Sequence, residues 1–422
     1  MTQEAASQID SGSPGLPPIL GISQRDRRFA RTRSFLREHD LAALVVGGFR
    51  GRETYETYLS NESLQGVVVF PSEGDPVHLT WSAFRIIGRS DPGNEREYWI
   101  DDIRAGLIGP SLVGVLKERH LESARVGVVG LTSRNPMELE GYVPFGVWSH
   151  VAEALPKAQF VEVSGPYGLL MMEKDEEELR LARHAAAVGE RACHAMLEAT
   201  REGALESEVY AAIMNSIYAA GLTVSPPNLI VKSGYNCLSW GPPDWGAGAV
   251  APRRVVAGDL VYAELMPSYG GIETQQQMTV AVGPVSAEAK ELAAVARGAY
   301  EAGLAALRPG LRFSELCDAM ATPLRESGCW NLSPHVHSLS PASLLGILFD
   351  GAEAGLGAEY RWMHRIPISM DAEIRQGMLF SFEPNACRGR LRVNIGGTVA
   401  VGRSEPEELN SICCRMIDLD NP

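Results

Sequence analysis

Basic charge is scarce in this chain: 38 Lys and Arg stand against 52 Asp and Glu over 422 residues, a net charge of −14. Nucleic acid and anionic membranes need a basic footprint, so both are excluded as partners, while a cationic ligand is allowed. Paired cysteines are missing as well. The seven cysteines (Cys193, Cys237, Cys317, Cys329, Cys387, Cys413 and Cys414) contain no Cys-x-x-Cys spacing, and their number is odd. A disulfide framework is excluded and a reducing compartment is expected. The first twenty residues, MTQEAASQIDSGSPGLPPIL, hold no basic region followed by an apolar run, so no signal peptide is expected. No apolar stretch approaches the ~20 residues that span a bilayer, and the expected location is the cytoplasm. Gly-rich phosphate loops, heptads and low-complexity tracts are also wanting.

What is present is a globular composition, 45% hydrophobic and 21% charged, in a chain long enough for two or three domains. Residues 1–22 read as a flexible lead, 23–165 as a first domain and 166–418 as a second. In the first, DRRFARTRSFLREHDLAALVVGG reads as a helix feeding a strand. LQGVVVFPSEGDPVHLTW reads as two strands around a turn, and RVGVVGL as another strand. Strands alternating with helices predict a mixed α/β layer. From Glu173 the texture changes. KDEEELRLARHAAAVGERACHAML has acidic residues in its first turn and Leu181, Ala185, Val188, Ala192 and Ala195 at helical spacing. ALESEVYAAIMNSIYAAGL is a second helix and SAEAKELAAVARGAYEAGLAALRPG a third. FSELCDAMATPLRESG is a fourth, expected to kink or break at Pro323. The runs PNLIVKSG, DLVYAELMP, QQMTVAVG, GMLFSFEP and LRVNIGGTVAVG read as strands. Two helix pairs, each followed by strands, predict an α+β domain with helices on one face of a curved, mainly antiparallel sheet.

Several segments, in this order, resemble the pita-bread family of creatinase, aminopeptidase P, prolidase and methionine aminopeptidase. They are YETYLSN in an amino-terminal creatinase-like domain, then GLLMMEKDEEELRLARHAA, NLIVKSGYN, GDLVYAEL with TVAVG, GMLFSFEP and GGTVAVG. The resemblance covers roughly residues 25–415 and implies the family's two-domain fold, usually as a homodimer. In metal-dependent members five side chains clamp two divalent ions. The resemblance puts Glu264 and Gln275 at the two aspartate positions, His337 at the histidine, Glu383 at the first glutamate, and Gly396 or its neighbour at the second. An amide carries no charge and a glycine no side chain, so a metal pair that needs bridging anionic oxygens is not expected.

Glu264, His337 and Glu383 are thus the expected catalytic residues, with no cofactor. A single divalent ion on these three stays open. Glu383 lies in an apolar run, where a carboxylate needs a partner. Gln275 either bonds substrate or fills space. His335 competes with His337 for the pocket, and His364 falls near the family's second pocket histidine, beyond an insertion at 338–362. Creatinase's working histidine follows its Ser-Gly-x-Asn segment. Here SGYNCLSWGPPDWGAG has no histidine, and Tyr235, Asp244 or Trp245 is expected to line the pocket instead. Glu273 is expected at the surface. Arg50 and Arg52 are candidates for a substrate carboxylate, by analogy with an arginine that creatinase-type dimers lend across their interface. The implied activity is metal-independent hydrolysis of a C–N bond in a small cationic molecule. The alternatives are an Xaa-Pro peptidase-like enzyme with one metal ion, a lyase on the same fold, or a binding module without activity.

Overall fold

The computed structural model describes residues 17–48, 55–62, 64–93, 96–132, 143–225, 229–332, 334–346 and 370–420. Helix α1 (Ile22–Glu38) leads into a six-stranded mixed sheet of β1 (Ala43–Gly47), β2 (Val67–Pro71), β3 (Val77–Thr80), β4 (Asp102–Ala105), β5 (Arg125–Val129) and β6 (Gln159–Glu162). The spatial order is β4-β3-β2-β1-β5-β6. The two apolar runs around Ser-Glu-Gly-Asp-Pro pair antiparallel, Val67 with Leu79 and Val69 with Val77, as the sequence predicted. Both faces of this sheet are covered, one by a cluster around Leu36, Leu44 and Phe70, the other by one around Leu79, Leu112 and Leu116.

From Asp175 onward the described residues are mainly two helical hairpins and their strands. Helix α2 (Glu176–Ala199) begins with a reciprocal cap: the Asp175 side chain accepts from the Glu178 amide and Glu178 returns the bond to the Asp175 amide. Glu178 also takes the guanidinium of Arg28 from α1 at 2.7 Å, and both side chains are buried. Helix α3 (Glu206–Ala219) packs on α2. Helices α4 (Ala287–Ala306) and α5 (Phe313–Glu326) form the second hairpin. α5 runs unbroken through Pro323, contrary to the expected break, because the proline sits in the last turns, where one lost N–H bond affects only the helix end.

Strands β7 (Ile230–Ser233), β8 (Leu260–Leu265) and β9 (Gln276–Ala281) follow the first hairpin. Strands β10 (Val336–Leu339), β11 (Leu379–Phe382), β12 (Asn385–Arg388), β13 (Leu391–Asn394) and β14 (Gly397–Ala400) follow the second. Their mutual pairings are antiparallel, and a bridge between Gln277 and Gly396 joins the two sets. Between β8 and β9 the chain makes a smaller hairpin, turning at Gly270 and Gly271. Both have positive φ, 59° and 78°, the conformation of a two-residue turn.

Alternation sorts the side chains. Val261, Ala263, Leu265, Met278, Val280, Phe380 and Phe382 join the core under the helices. Leu391 and Val393 pack with Ala289 and Leu292 of α4. The intervening residues (Glu264, Gln277, Ser381, Glu383, Arg392 and Asn394) therefore share the opposite, polar face, and all are buried.

Candidate active site

His337 and Glu383 meet on this face with Nε2 3.2 Å from Oε1, and the side chains are 4% and 3% exposed. β10 and β11 hold them in register: His337 lies opposite Ser381, and Glu383 follows two residues later on the same face. The Nδ1 of His337 donates to the Ser338 carbonyl at 2.8 Å. Its Nε2 also faces Gln275 Oε1 at 3.2 Å. The Gln275 amide is oriented from its other end, where Nε2 donates to Glu273 Oε1 at 2.8 Å. His337 Nε2 thus confronts two acceptors. The pair must keep a proton beyond the one on Nδ1, carried either by the imidazolium or by the Glu383 carboxyl.

A second amide completes the brace. Gln277 Nε2 donates to Glu383 Oε2 at 2.6 Å, and its Oε1 accepts from Asn394 Nδ2 at 2.9 Å. Gln275 and Gln277 lie two apart on one face. Gln276 points away, to Asn410 Oδ1 at 3.1 Å. Glu264 lies opposite Gln277 in the β8–β9 register and accepts from Trp240 Nε1 at 2.9 Å.

The structure brings His337, Glu383, Glu264 and Gln275 to one face. His335 packs away from them, its Nε2 beside the Cys317 carbonyl at 2.9 Å. Glu273, expected at the surface, is buried, because the ladder of alternate residues turns it toward Gln275. Tyr235 is half exposed instead, with its hydroxyl 2.8 Å from Ser286, the cap of α4. Asp244 pairs with Lys232 at 2.9 Å, and Trp245 packs edge-on to Tyr210. Arg50, Arg52 and His364, and most of the insertion, lie outside the described residues. Sequence reasoning missed Gln277, Asn394, Arg392 and Trp240. The first three carried a signal: polar residues that alternate with apolar ones along their strands.

The donors do not fit two metal ions. Gln275 is neutral, and both ends of its amide are engaged. At Gly396 the backbone lies at φ +143°, and a Cβ would stand 1.8 Å from the Phe382 carbonyl oxygen, so no carboxylate can start there. Among the described residues no group of three or more His, Cys, Asp or Glu is arranged to hold a metal ion. Among them, too, no helix is long and apolar enough to cross a membrane.

Comparison with known proteins gives a consistent lineage. The Xaa-Pro dipeptidase of Pyrococcus furiosus is 22% identical over 280 residues, 66% of this chain and 74% of that one. The creatinase of Bacillus sp. (strain B-0618) is 22% identical over 391 residues, 90% of this chain and 88% of that one. Among solved structures, an X-Pro aminopeptidase from Thermotoga maritima superposes with a TM-score of 0.70 at 16% identity, covering 92% of this chain and 99% of that one. A prolidase from Thermococcus sibiricus gives 0.71 at 18% identity, covering 93% and 99%. These likenesses establish the pita-bread fold. Residues 180–405, more than half of the chain, match the metallopeptidase M24 profile. The chain therefore belongs to metallopeptidase family M24, a family of hydrolases that cleave C–N bonds.

Proposed function

We propose that this M24 chain hydrolyses a C–N bond in a small cationic molecule without a metal ion, by acid–base chemistry at His337 and Glu383. The observation that carries the reading is the buried His337–Glu383 contact, braced by two neutral amides at a place where metal-dependent relatives need anionic oxygens. A cationic N–H placed against Glu383 supplies the hydrogen bond that the shared proton otherwise supplies, and that proton leaves to solvent as the substrate binds. His337 is then neutral, with its proton on Nδ1, and Nε2 is an acceptor for water. As the water oxygen bonds to the substrate carbon, its proton passes to Nε2. As the C–N bond breaks, the same proton passes to the leaving nitrogen. Glu264 adds a second negative group on the face, which favours a cation. The same proposal places the enzyme in a homodimer.

Two measurements test this. Replacing Glu383 with Gln is expected to abolish turnover of a hydrolysed amine or amidine while leaving the melting temperature near that of the parent. Dialysis against a chelator is expected to leave turnover intact. A rival reading, one metal ion on Glu264, His337 and Glu383 serving an Xaa-Pro peptidase-like reaction, draws on the family and on relatives named Xaa-Pro dipeptidase. Loss of turnover on chelation, restored by zinc or manganese, would establish that rival.

A further inference from the structure

The seam between the first domain and the second holds a cavity of about 510 Å³, away from the face that carries His337 and Glu383. Ligand pockets run from about 300 to 1,000 Å³ and favour domain seams. One wall is α1, through Arg31 and Glu38. The other is the stretch 372–378 that leads into β11. The floor between them is apolar: Phe35, Leu169, Leu170 and Met378.

The two walls carry their charges in the same order. On α1, Arg31 and Glu38 lie seven residues apart, close to two turns, so they share a face about 10 Å apart along the axis. On the opposite wall Arg375 stands two residues from Glu373. Both arginines meet at Glu173. Arg375 Nη1 pairs with its Oε1 at 2.7 Å, and Arg31 Nη1 donates to its carbonyl at 2.9 Å. A second cavity, of about 840 Å³, shares Arg31, Glu173 and Arg375 with the first, whereas Glu38 and Glu373 line only the first of the two. The cations therefore stand where the cavities join, and the acids stand at the far end.

Neither pole is closed by its own residues. Arg31 Nη2 donates to the Leu170 carbonyl at 2.6 Å, so both partners of this guanidinium are neutral carbonyls at the end of the helix Ser164–Met172. Two arginines thus share the single carboxylate of Glu173. Glu38 and Glu373 are exposed, and neither forms an ion pair among the described residues.

We infer that this seam is a binding site for a short peptide with free termini, separate from the candidate active site. The peptide carboxylate lies against Arg31 and Arg375, its ammonium against Glu38 and Glu373, and an apolar side chain on the floor between them. The span sets the length. Three extended residues reach about 10 Å, whereas the two charges of a single amino acid are too close together to meet both poles. A ligand of one sign is attracted at one end and opposed at the other. Met378 on the floor is five residues from Glu383, about 17 Å along the strand, so a peptide held here is bound and not cleaved.

The test uses the tripeptide Ala-Leu-Ala with free termini, its N-acetylated form, its C-amidated form, and leucine alone. Affinity and stoichiometry are read by calorimetry on the parent, the double variant E38Q/E373Q, R31Q, R375Q and E383Q. The parent is expected to bind one free tripeptide at least about fivefold more tightly than either blocked form or leucine, since hydrogen bonds between charged partners are the strong ones. In E38Q/E373Q the cost of acetylation should fall at least about twofold while the cost of amidation persists. In R31Q and R375Q the reverse is expected. Arg375 is 59% exposed, so R375Q decides the basic pole whether or not R31Q folds. E383Q should bind the tripeptide as the parent does.

Failure of the parent to bind the tripeptide overturns the site. So do blocked forms that bind as tightly as the free one, or terminus preferences that are the same in E38Q/E373Q and R375Q as in the parent. Binding that disappears in E383Q overturns it too, because the peptide would then lie on the polar face. None of these readouts requires turnover, so the peptide site and the proposed function fail separately.

Discussion

Gln277 engages both ends of its amide within the site, so replacing it with leucine isolates what the amide contributes. The substitution keeps the bulk and removes a 2.6 Å donor from Glu383 Oε2 and a 2.9 Å acceptor from Asn394 Nδ2, both in buried positions. A hydrogen bond to a charged group contributes about 1.5–3 kcal/mol, and an orphaned buried amide costs about 1–3 kcal/mol. The expected destabilisation is therefore about 3–5 kcal/mol. At about 2–4 °C per kcal/mol for a domain the size of the 180–405 region, the melting temperature should fall by about 6–20 °C. The control is the neighbouring residue. Met278 points into the apolar core, and Met278→Leu conserves volume, so it should cost less than about 1.5 kcal/mol. Thermal unfolding of both variants at one pH makes the comparison. If Gln277→Leu is no more destabilising than Met278→Leu, the amide brace does not exist in solution, and the proton count at His337 loses its support.

Gly396→Ala should cost about 3 kcal/mol or more, since both the positive φ and the Phe382 carbonyl oppose a Cβ; a variant as stable as the parent refutes the close approach. Burial, opposed by nearby backbone N–H groups, pushes the Glu56 carboxyl up from 4.5 to about 8. The folded state then binds the proton more tightly than the unfolded state, so stability is full below pH 4.5 and is lost as pH rises toward 8, at up to about 1.4 kcal/mol per unit. Glu56→Gln should flatten that decline, read as melting temperature against pH. Burial, reinforced by the charge of Arg89, holds the His78 imidazole down from 6.5 to about 3. Here the unfolded state takes the proton first, so stability present above pH 6.5 is lost as pH falls toward 3. His78→Leu should improve survival at pH 4, and an unchanged acid limb would show that other groups govern it.

How far the sequence carried is clearest on β8 and β9. The family-like order of segments named Glu264, Gln275, His337 and Glu383 as residues of one site. Period-two alternation from Gln275 would have added Gln277 and turned Glu273 inward, but the three consecutive glutamines hide which of them face the site. Their register is fixed only by the partner strand, where Glu264 meets Gln277. Trp240 could not be found locally. It sits in the irregular stretch after β7, and only tertiary packing brings its N–H to Glu264. Tyr235, Asp244 and Trp245 lie in the same stretch, where their partners are Ser286, Lys232 and the Tyr210 ring. Arg392 was missed although it is a charge between Leu391 and Val393, because a lone arginine in a strand does not show which face it shares.

The amides explain more than the loss of a metal pair. A carboxylate at 275 or 277 would set a further negative charge between Glu273 and Glu383, an arrangement sustained only by cations or shared protons. An amide removes that charge and presents two donors and an acceptor in a fixed order. Gln275 uses its donor on Glu273 and turns its acceptor to His337. Gln277 uses its donor on Glu383 and turns its acceptor to Asn394. The direction of each amide is therefore determined by a neighbour that can only give or only take, and the imidazole between them has one tautomer available when neutral. On this reading the change from acid to amide removes the means of bridging two ions and, in the same step, fixes where a mobile proton can reside.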